Sequence, residues 1–423
     1  MYEDFLTVDK YIINGGNSLY GCVEIGSAKN SVLPILAGAV LCDGVVTIEN
    51  CPAYTDVLNM LDLLKTFGVR ASFSNNTLKI DAPNITRYEV PMEQSVKTRA
   101  SIFCLGALLG RFKKAKVAYP GGCEIGARPI DLHLKGLQAL NVKILDRHGY
   151  ITCDGSNMRG GDVHLDFPSV GATENIMLAG ATAKGTTKIV GCATEPEIVD
   201  LQNFLNKAGA KIYGAGTNQI VIQGVKKLKS VTHRPIPDRI IAGTYLLANV
   251  ICGGELIIKN FPHKHLFALT EKLDKSAVRL WKQKSMLIAK TTARHKAIEK
   301  IETLPYPAFP TDLQAPMVAM LATASGTSLV IENLFESRFR YTQELSKMGA
   351  KIKTNGKLAM ISGVPTLYGA EVQAQDLRGG ASLVLASLMA KGQTTISGVK
   401  HIERGYENLP QTLKLLGANI TAL

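Results

Sequence analysis

No stretch of this 423-residue chain is apolar over the roughly 18 residues that a membrane-spanning helix needs. The longest apolar run, at residues 31–41, is interrupted by Pro34 and Gly38. Residues 1–10 contain no basic segment followed by an apolar one, so we expect no secretory signal. The sequence therefore predicts a cytoplasmic protein without a membrane segment.

The cysteines include no C-x-x-C pair, and the histidines lack the spacing of metal ligands. Neither a zinc site nor a disulfide framework is therefore predicted. Seven of the eight cysteines lie in apolar or strand-like sequence, and we expect them to be reduced and buried. These seven are Cys22, Cys42, Cys51, Cys104, Cys153, Cys192 and Cys252. Cys123 differs, because it lies in a glycine-rich stretch.

Acidic residues are the minority, with 35 Asp and Glu against 48 Lys and Arg, and the formal net charge is +13. The densest basic runs are residues 226–229 and 279–300, and the second contains Trp281. No helix-turn-helix, zinc-finger or RNA-binding signature accompanies them, so no nucleic-acid partner is predicted. A solvated basic face and anionic substrates explain this charge better.

A repeat of about 70 residues organises the chain. In its pattern, Leu-x-x-x-Gly-Ala/Val-x-Val/Ile, a helix ends at a glycine or asparagine and a strand follows. The six glycine-equivalent positions are Gly68, Asn141, Gly209, Ala277, Gly349 and Gly417. A second, apolar helix, a glycine and a strand precede five of these positions. The pattern predicts an α/β protein of six units, and the chain length favours two domains with three units each.

The most informative stretch is 119–134, Tyr-Pro-Gly-Gly-Cys-Glu-Ile-Gly-Ala-Arg-Pro-Ile-Asp-Leu-His-Leu. Its three glycines and two prolines predict a surface loop. A thiol near a guanidinium, here Cys123 and Arg128, is the setting in which the thiol pKa falls and its reactivity rises. A tight turn that happens to carry a cysteine is the alternative interpretation of the Gly-Gly-Cys sequence alone.

The whole string resembles the active-site loop of the UDP-N-acetylglucosamine enolpyruvyl transferases, whose signature is P-G-G-C-x-I-G-x-R-P-x-D-L-H. The resemblance covers residues 15–423 and is weakest at 261–303. It implies an α/β fold, a two-domain inside-out α/β barrel of six βαβαββ repeats, with three repeats in each domain. It also implies that residues 29–237 form one domain and that residues 1–28 and 238–423 form the other.

The resemblance assigns substrate contacts to the first domain. Lys29 would contact phosphoenolpyruvate and Asn30 the sugar nucleotide, and related shikimate-phosphate transferases carry serine in place of Asn30. Some members use a lysine where this chain has Phe167, so that nucleotide contact is not expected. Further contacts fall to Arg99, Arg128, Pro129, Ile130, Asp131, Leu132, Ser169, Val170 and Gly171. Considered alone, Lys29 and Arg99 would be first-turn surface residues, and 168–173 would be a turn into a helix at 175–183.

In the second domain, the resemblance makes Asp312 the base beside the sugar 3′-hydroxyl. Alone, Asp312 would be an N-terminal helix cap. Arg378 and Arg404 lie in strings that match the motifs for phosphoenolpyruvate, and a bidentate guanidinium suits both carboxylate and phosphate. The family usually has D-L-R-A-x-A, whereas Gly379 and Gly380 follow Arg378 here. Leu334 and Arg338 complete the expected substrate contacts.

The activity implied is transfer of the enolpyruvyl group of phosphoenolpyruvate to the 3′-hydroxyl of UDP-N-acetylglucosamine, which begins peptidoglycan precursor synthesis. The expected catalytic residues are Lys29, Cys123, Arg128, Asp312 and Arg404. No metal or organic cofactor is expected. Fosfomycin, an epoxide that mimics phosphoenolpyruvate, is expected to alkylate Cys123. A same-fold transferase for shikimate 3-phosphate and a catalytically silent regulatory relative are the alternatives, and the oligomeric state stays open.

Overall fold

The computed structural model describes residues 8–82, 85–121, 125–126, 129–274, 276 and 278–423. These residues form two compact units, each packed mainly within itself. The inserted unit contains residues 26–121 and 129–236, and the composite unit contains residues 8–25, 125–126 and 237–423. The chain thus changes unit close to the boundaries expected after residues 28 and 237. The division into functional domains after residues 28 and 237 stays a prediction.

The strands of the described residues are short, and most alternate buried and exposed side chains, as expected of sheets with one solvated face. In chain order they are β1 (Lys10–Asn14), β2 (Leu19–Glu24), β3 (Cys42–Ile48), β4 (Arg70–Ser74), β5 (Thr77–Asp81), β6 (Glu89–Val90), β7 (Lys114–Ala118), β8 (Lys143–Arg147), β9 (Tyr150–Asp154), β10 (Asp162–His164), β11 (Thr186–Val190), β12 (Lys211–Tyr213), β13 (Gln219–Gln223), β14 (Leu228–His233), β15 (Gly254–Lys259), β16 (Arg279–Gln283), β17 (Met286–Thr291), β18 (Lys300–Thr303), β19 (Thr327–Glu332), β20 (Lys351–Asn355), β21 (Leu358–Ser362), β22 (Glu371–Gln373), β23 (Gln393–Ser397) and β24 (Asn419–Ala422).

The helices are α1 (Lys29–Ala39), α2 (Thr55–Lys65), α3 (Met92–Ser95), α4 (Cys104–Phe112), α5 (Asp131–Ala139), α6 (Val170–Gly180), α7 (Pro196–Lys207), α8 (Arg239–Cys252), α9 (Phe267–Asp274), α10 (Gln314–Leu321), α11 (Thr342–Lys347), α12 (Leu377–Met389), α13 (Lys400–Glu403) and α14 (Leu409–Leu415). Short 3-10 helices lie at Arg99–Phe103, His263–His265 and Thr311–Leu313. Within the described ranges, no helix has both the length and the apolar character needed to cross a bilayer.

The described strands form six four-stranded sheets, three in each unit. In every sheet a parallel pair is extended by two antiparallel strands. The orders in the inserted unit are β14-β3-β5-β4, β6-β7-β9-β8 and β10-β11-β13-β12. Those in the composite unit are β2-β15-β17-β16, β18-β19-β21-β20 and β22-β23-β1-β24. The six α/β repeats predicted from the sequence are therefore confirmed.

Three helices in each unit are buried on nearly every side: α1, α4 and α6 in the inserted unit, and α8, α10 and α12 in the composite unit. One hydrophobic cluster fills each unit around them. Gly106 shows how closely they pack, because a Cβ there would lie 2.3 Å from the backbone oxygen of Asn175 on α6. The helices thus lie inside and the sheets outside, which the repeat pattern alone could not decide.

The repeat positions adopt the backbone conformation that the sequence predicts. Gly68, Gly209, Gly349 and Gly417 have φ between 91° and 106°, and Asn141 has φ of 61°. These left-handed residues end a helix and turn the chain into the next strand. The sixth position, Ala277, lies outside the described residues.

Three expectations about local structure are wrong. The surface loop expected over residues 119–134 does not extend beyond residue 130, because α5 begins at Asp131, after the last proline and glycine of the stretch. The helix expected at residues 175–183 begins at Val170, because the Ser169 side chain caps it by accepting a hydrogen bond from the Ala172 N–H. Cys22 is exposed on β2 rather than buried, because the strand alternation turns its side chain to solvent. The other six cysteines named with it are buried or half-buried, and all seven are free thiols.

Candidate active site

The N-terminal ends of the buried helices carry the residues that the resemblance selected. Lys29 is the first residue of α1, Val170 the first of α6 and Arg378 the second of α12. Arg99 and Asp312 each lie in a 3-10 helix that leads directly into the next buried helix. Helix N-termini present backbone N–H groups and a partial positive charge, so this placement suits anionic substrates.

Lys29 is held by a buried ion pair in the inserted unit. Its Nζ lies 2.9 Å from Oδ2 of Asp56, and the two side chains are only 10% and 6% exposed. The N–H of Ala28 donates to the carbonyl of Ile236, which fixes the start of α1 against the end of the unit. Asn30 follows and is half-buried. The contact with Asp56 was not predicted, because it depends on how α2 packs against α1.

Asp200 on α7 fixes the same helix start. It accepts hydrogen bonds from the Ser31 hydroxyl, from Nε2 of His233 at 2.9 Å and from the Ile236 N–H at 3.1 Å. Asp200 is 2% exposed. A buried carboxylate with three donors is rigidly placed, so it helps to hold α1 in position.

Asn175 on α6 forms hydrogen bonds with three other elements of the inserted unit: α5, the 3-10 helix at Arg99–Phe103 and α4. Its Nδ2 lies 2.8 Å from Nδ1 of His133 on α5 and donates to the carbonyl of Ile102 at 2.9 Å, while its Oδ1 accepts from the Gly106 N–H. Gly171 lies against the same histidine, since a Cβ there would be 3.0 Å from the ring. The start of α5 and the start of α6 are therefore locked together.

This lock places two groups of predicted contacts near each other. Pro129 and Asp131 are exposed, Leu132 is half-buried and Ile130 is buried at the start of α5. Ser169, Val170 and Gly171 are half-buried at the start of α6. Arg99 is half-buried and follows Thr98, whose side chain accepts from the Ala100 N–H at 3.2 Å.

Asp312 is the centre of the charged cluster in the composite unit. Its Oδ1 lies 3.1 Å from Nη2 of Arg338, and its Oδ2 lies 3.0 Å from Nη2 of Arg378. The arginine side chains are 3% and 4% exposed, whereas Asp312 is 27% exposed. The N-cap of its 3-10 helix is Pro310, so the alternative interpretation of Asp312 as a helix cap is wrong. Tertiary pairing with two arginines determines its position instead.

Arg378 stays charged although it is buried. Burial alone would lower its pKa, but the Asp312 charge, with Tyr406 and Asp238, raises the pKa above its ordinary value. Its guanidinium lies 5.5 Å from the Tyr406 ring centre, and Asp376 caps α12 by accepting from the N–H groups of Arg378 and Gly379. Nε and Nη1 of Arg378 are buried and have no hydrogen-bond partner among the described residues. A bound carboxylate or phosphate would satisfy such donors.

Glu332 is a site residue that sequence reasoning missed. It is 0% exposed, and its two oxygens accept hydrogen bonds from the hydroxyls of Thr303 and Thr311 and from the N–H groups of Leu334 and Phe335. Thr311 precedes Asp312, and Leu334 is a predicted contact. Glu332 therefore sets the relative position of two predicted substrate-binding segments. The only sequence signal is a carboxylate at the end of an apolar strand.

Asp238 and Arg239, at the start of α8, were also missed. Asp238 caps the helix by accepting from the N–H groups of Ile240 and Ile241, and buried Arg239 lies over the Tyr306 ring with 5.6 Å to its centre. When the 3-10 helices that lead into α4 and α10 are included, each of the six buried helices begins at a charged or hydroxyl-bearing residue or directly after one. The sequence repeat could have identified the start of α8, because it places an equivalent helix start in each of the six units.

The remaining predicted residues are only partly covered by the structure. Leu334 and Arg404 are half-buried in the composite unit, with Arg404 at the end of α13. Cys123 and Arg128 lie outside the described residues. Among the residues that are described, no three His, Cys, Asp or Glu side chains lie together as metal ligands would.

Comparison with known proteins gives the same fold. A family model described as EPSP synthase (3-phosphoshikimate 1-carboxyvinyltransferase) matches residues 13–413. The enolpyruvyl transferase NikO from Streptomyces tendae superposes with a TM-score of 0.88, at 25% identity and 98% coverage of both chains. An EPSP synthase from Acinetobacter baumannii gives a TM-score of 0.76 at 17% identity, over 98% of this chain and 100% of its own. The chain therefore has the two-unit fold of the enolpyruvyl transferases, and the fold prediction is confirmed.

Sequence relatives identify the group of enolpyruvyl transferases to which the chain belongs. The UDP-N-acetylglucosamine 1-carboxyvinyltransferase 2 of Caldanaerobacter subterraneus subsp. tengcongensis is 51% identical over 98% of this chain and 99% of its own. The UDP-N-acetylglucosamine 1-carboxyvinyltransferase of Clostridium botulinum is 46% identical over 98% of this chain and 100% of its own. The chain belongs to the EPSP synthase family and, within it, to the UDP-N-acetylglucosamine 1-carboxyvinyltransferases.

Proposed function

We propose that this enzyme transfers the enolpyruvyl group of phosphoenolpyruvate to the 3′-hydroxyl of UDP-N-acetylglucosamine and releases phosphate, the first committed step of peptidoglycan precursor synthesis. The observation that carries the proposal is near full-length identity of 44–51% to relatives with this name. The buried cationic cluster around Asp312 supports it, because both substrates are polyanions.

The chemistry is an addition followed by an elimination. The acceptor oxygen attacks C2 of phosphoenolpyruvate while a proton is added at C3, which gives a tetrahedral ketal that still carries the phosphate. Loss of phosphate from C2 and of a proton from C3 then leaves the enolpyruvyl ether. The residues must therefore hold two anions, accept the hydroxyl proton and deliver a proton to carbon.

In the composite unit, Asp312 is the group that accepts the 3′-hydroxyl proton. Its partial exposure lets a substrate hydroxyl reach it, and Arg338 and Arg378 fix its orientation. The buried donors of Arg378 bind the carboxylate or phosphate of phosphoenolpyruvate, and Arg404 acts with them. Preorganised positive charge of this kind is commonly the largest contribution to catalysis.

In the inserted unit, Lys29 binds phosphoenolpyruvate and Asn30 the nucleotide sugar. Arg99, residues 129–132 and Ser169, Val170 and Gly171 bind the remaining nucleotide groups, with backbone N–H groups at the start of α6 available to the diphosphate. Cys123 and Arg128 complete this set, with Cys123 as the acid for C3 and as the site of fosfomycin alkylation. These roles rest on the family resemblance.

A cytoplasmic location belongs to the same proposal. The seven described cysteines are free, which is typical of a reducing compartment.

The second candidate is transfer to shikimate 3-phosphate, because the matching family model is described by that activity. Nuclear magnetic resonance with phosphoenolpyruvate labelled at C2 separates the two. We expect the label in a vinyl ether attached to O3′ of UDP-N-acetylglucosamine. Appearance of the vinyl ether only with shikimate 3-phosphate would reject the proposal.

A further inference from the structure

The outer face of the sheet β2-β15-β17-β16 differs from the outer faces of the other sheets. Its central row runs across all four strands and consists of Cys22, Ile257, Ile288 and Trp281. Cys22 and Trp281 are exposed, with Trp281 at 45%, and the two isoleucines are half-buried. An apolar row on a solvated sheet face needs an explanation, because these positions are normally polar.

The repeat provides an internal comparison. Trp281 lies four residues after its repeat position, and the equivalent residues of the other sheets are Ser72, Leu145, Tyr213, Lys353 and Thr421. The equivalent rows are Thr232–Thr47–Lys79–Ser72, Glu89–Lys116–Thr152–Leu145, Asp162–Lys188–Val221–Tyr213, Lys300–Leu329–Met360–Lys353 and Glu371–Thr395–Ile12–Thr421. Each of these five rows contains at least one charged side chain. The row at Trp281 contains none, so the repeat architecture itself does not require an apolar row.

Positive charge surrounds this row. Residues 254–303 contain eleven Lys and Arg against five Asp and Glu, nearly half of the chain's net charge. On the face itself, Arg279 and Lys290 flank the row on one side and Lys259 flanks it on the other. Lys284 adds positive charge in the turn after β16, whereas Lys282 pairs with buried Leu287 and therefore belongs to the opposite side of the sheet. None of the predicted active-site residues lies in this basic segment, so the proposed catalysis does not explain its charge.

Two carboxylates also belong to this face. Glu255 pairs with Lys290 at 2.9 Å, and Glu24 accepts a hydrogen bond from the Asn260 side chain. The face therefore keeps an excess of cations, although both flanking rows include a carboxylate. A flat anionic membrane would meet charges of both signs on this face, whereas a protein segment can place its acidic side chains opposite individual cations. A second copy of this chain is disfavoured by its net charge of +13.

We propose that the outer face of β2-β15-β17-β16 binds an acidic amphipathic helix of a partner protein, with Trp281 as its apolar anchor. The row spans three strand spacings, about 14 Å. About ten residues of α-helix have the same length. Apolar residues on one side of such a helix would cover the row, and acidic residues on its flanks would meet Arg279 and Lys259. Tryptophan and arginine are the residue types that dominate binding energy at such interfaces.

Because Trp281 is the only tryptophan, its fluorescence reports on this face alone. The probe is a synthetic 18-residue helical peptide with leucine on one face and glutamate elsewhere, and its control has lysine in place of glutamate. With the full chain, the acidic peptide should shift the Trp281 emission to shorter wavelength in a saturable titration, and the lysine peptide should not. No shift with the acidic peptide, or equal shifts with both, would overturn the proposal.

Variants locate the binding by anisotropy of the labelled acidic peptide. Trp281→Ala and Ile288→Thr should each weaken binding more than tenfold, and Arg279→Glu should weaken binding more strongly at low salt than at high salt. Tyr213→Ala is the matched control, since Tyr213 is 58% exposed at the equivalent position of another sheet. Unchanged transferase turnover in Trp281→Ala would show that the fold is intact. Equal loss in Tyr213→Ala, preference for phosphatidylglycerol vesicles over the peptide, or self-association through this face would contradict the proposal.

Discussion

Asp312 and Arg378 lie 3.0 Å apart, Oδ2 to Nη2, although 66 residues separate them and they lie at the starts of different buried helices. The equivalent pairing with Arg338 makes one carboxylate the shared partner of two buried guanidinium groups. Asp312 therefore has two tasks. It balances buried positive charge, and it presents a partly exposed oxygen to a hydroxyl.

Asp312→Asn should impair both tasks, and each loss can be measured separately. The amide is isosteric but cannot accept the hydroxyl proton, and it removes the carboxylate that two buried guanidinium groups share. We expect turnover to fall by at least about 100-fold. The free energy of unfolding should decrease by about 3 kcal/mol, somewhat less than for a fully buried pair because Asp312 is partly exposed. Steady-state kinetics and urea unfolding measure the two effects, and turnover near that of the wild type would contradict the assignment as base.

Glu332→Gln should lower both activity and stability. The amide brings an NH₂ group to a position where the hydroxyls of Thr303 and Thr311 and the N–H groups of Leu334 and Phe335 already donate. We expect a loss of about 1–3 kcal/mol and a raised KM for UDP-N-acetylglucosamine. Unfolding curves and initial rates at varied nucleotide provide the measurement.

Glu344→Gln is the matched control for Glu332. Glu344 is also buried and accepts from a backbone N–H, that of Gln373, but neither Gln373 nor its other partner, Lys347, is a predicted substrate contact. Glu344→Gln should lower the free energy of unfolding by a comparable amount and leave the KM for UDP-N-acetylglucosamine unchanged. If both variants raise KM equally, Glu332 has no special role in positioning the site.

Glu174 should make stability depend on pH. It is 1% exposed, and its pKa is raised well above 4.5, first by burial and then by the charges of Glu197 and Glu195. Because the folded-state pKa is above the unfolded one, its contribution is fully present below about pH 4.5 and is lost as pH rises through the raised value.

Glu174→Gln removes this ionisation. Its stability relative to the wild type should therefore increase with pH, by at most about 1.4 kcal/mol per pH unit. Urea unfolding of both proteins between pH 5 and pH 8 gives the difference. A difference that is constant over this range would show that Glu174 does not titrate as described.

Fosfomycin should label Cys123. Burial raises the pKa of Cys42, Cys153 and Cys252 to about 12 and that of Cys192 to about 11, so these thiols stay protonated and unreactive. Peptide mass mapping should find the adduct on Cys123, with faster labelling when UDP-N-acetylglucosamine is present. Cys123→Asp should lose labelling and keep turnover, whereas Cys123→Ser should lose most turnover because a hydroxyl is a much weaker acid.

Cys22 is the control that the structure adds, since it is exposed and was expected to be buried. Cys22→Ser should leave fosfomycin labelling unchanged. An adduct on Cys22 in the wild type would show that exposure determines reactivity, and the absence of an adduct on Cys123 would contradict its assigned role.

The sequence predicts best what local chemistry determines. The left-handed turns at Gly68 and Asn141 follow from helix endings, and the repeat spacing gives the six sheets. Tertiary partners could not be predicted, because Asp56, Asn175 and Glu332 are ordinary residues until packing brings them to the helix starts. A repeat also conceals differences between its copies. The apolar row at Trp281 becomes visible only when the strand register is known.

The central claim is that UDP-N-acetylglucosamine is the acceptor, and phosphate release tests it most directly. Purified enzyme is incubated with phosphoenolpyruvate and UDP-N-acetylglucosamine, shikimate 3-phosphate or no acceptor, with chelator present to remove divalent metal ions. We predict phosphate release only with UDP-N-acetylglucosamine, and loss of that release in Asp312→Asn. Equal release with shikimate 3-phosphate, or release that requires added metal, would contradict the account.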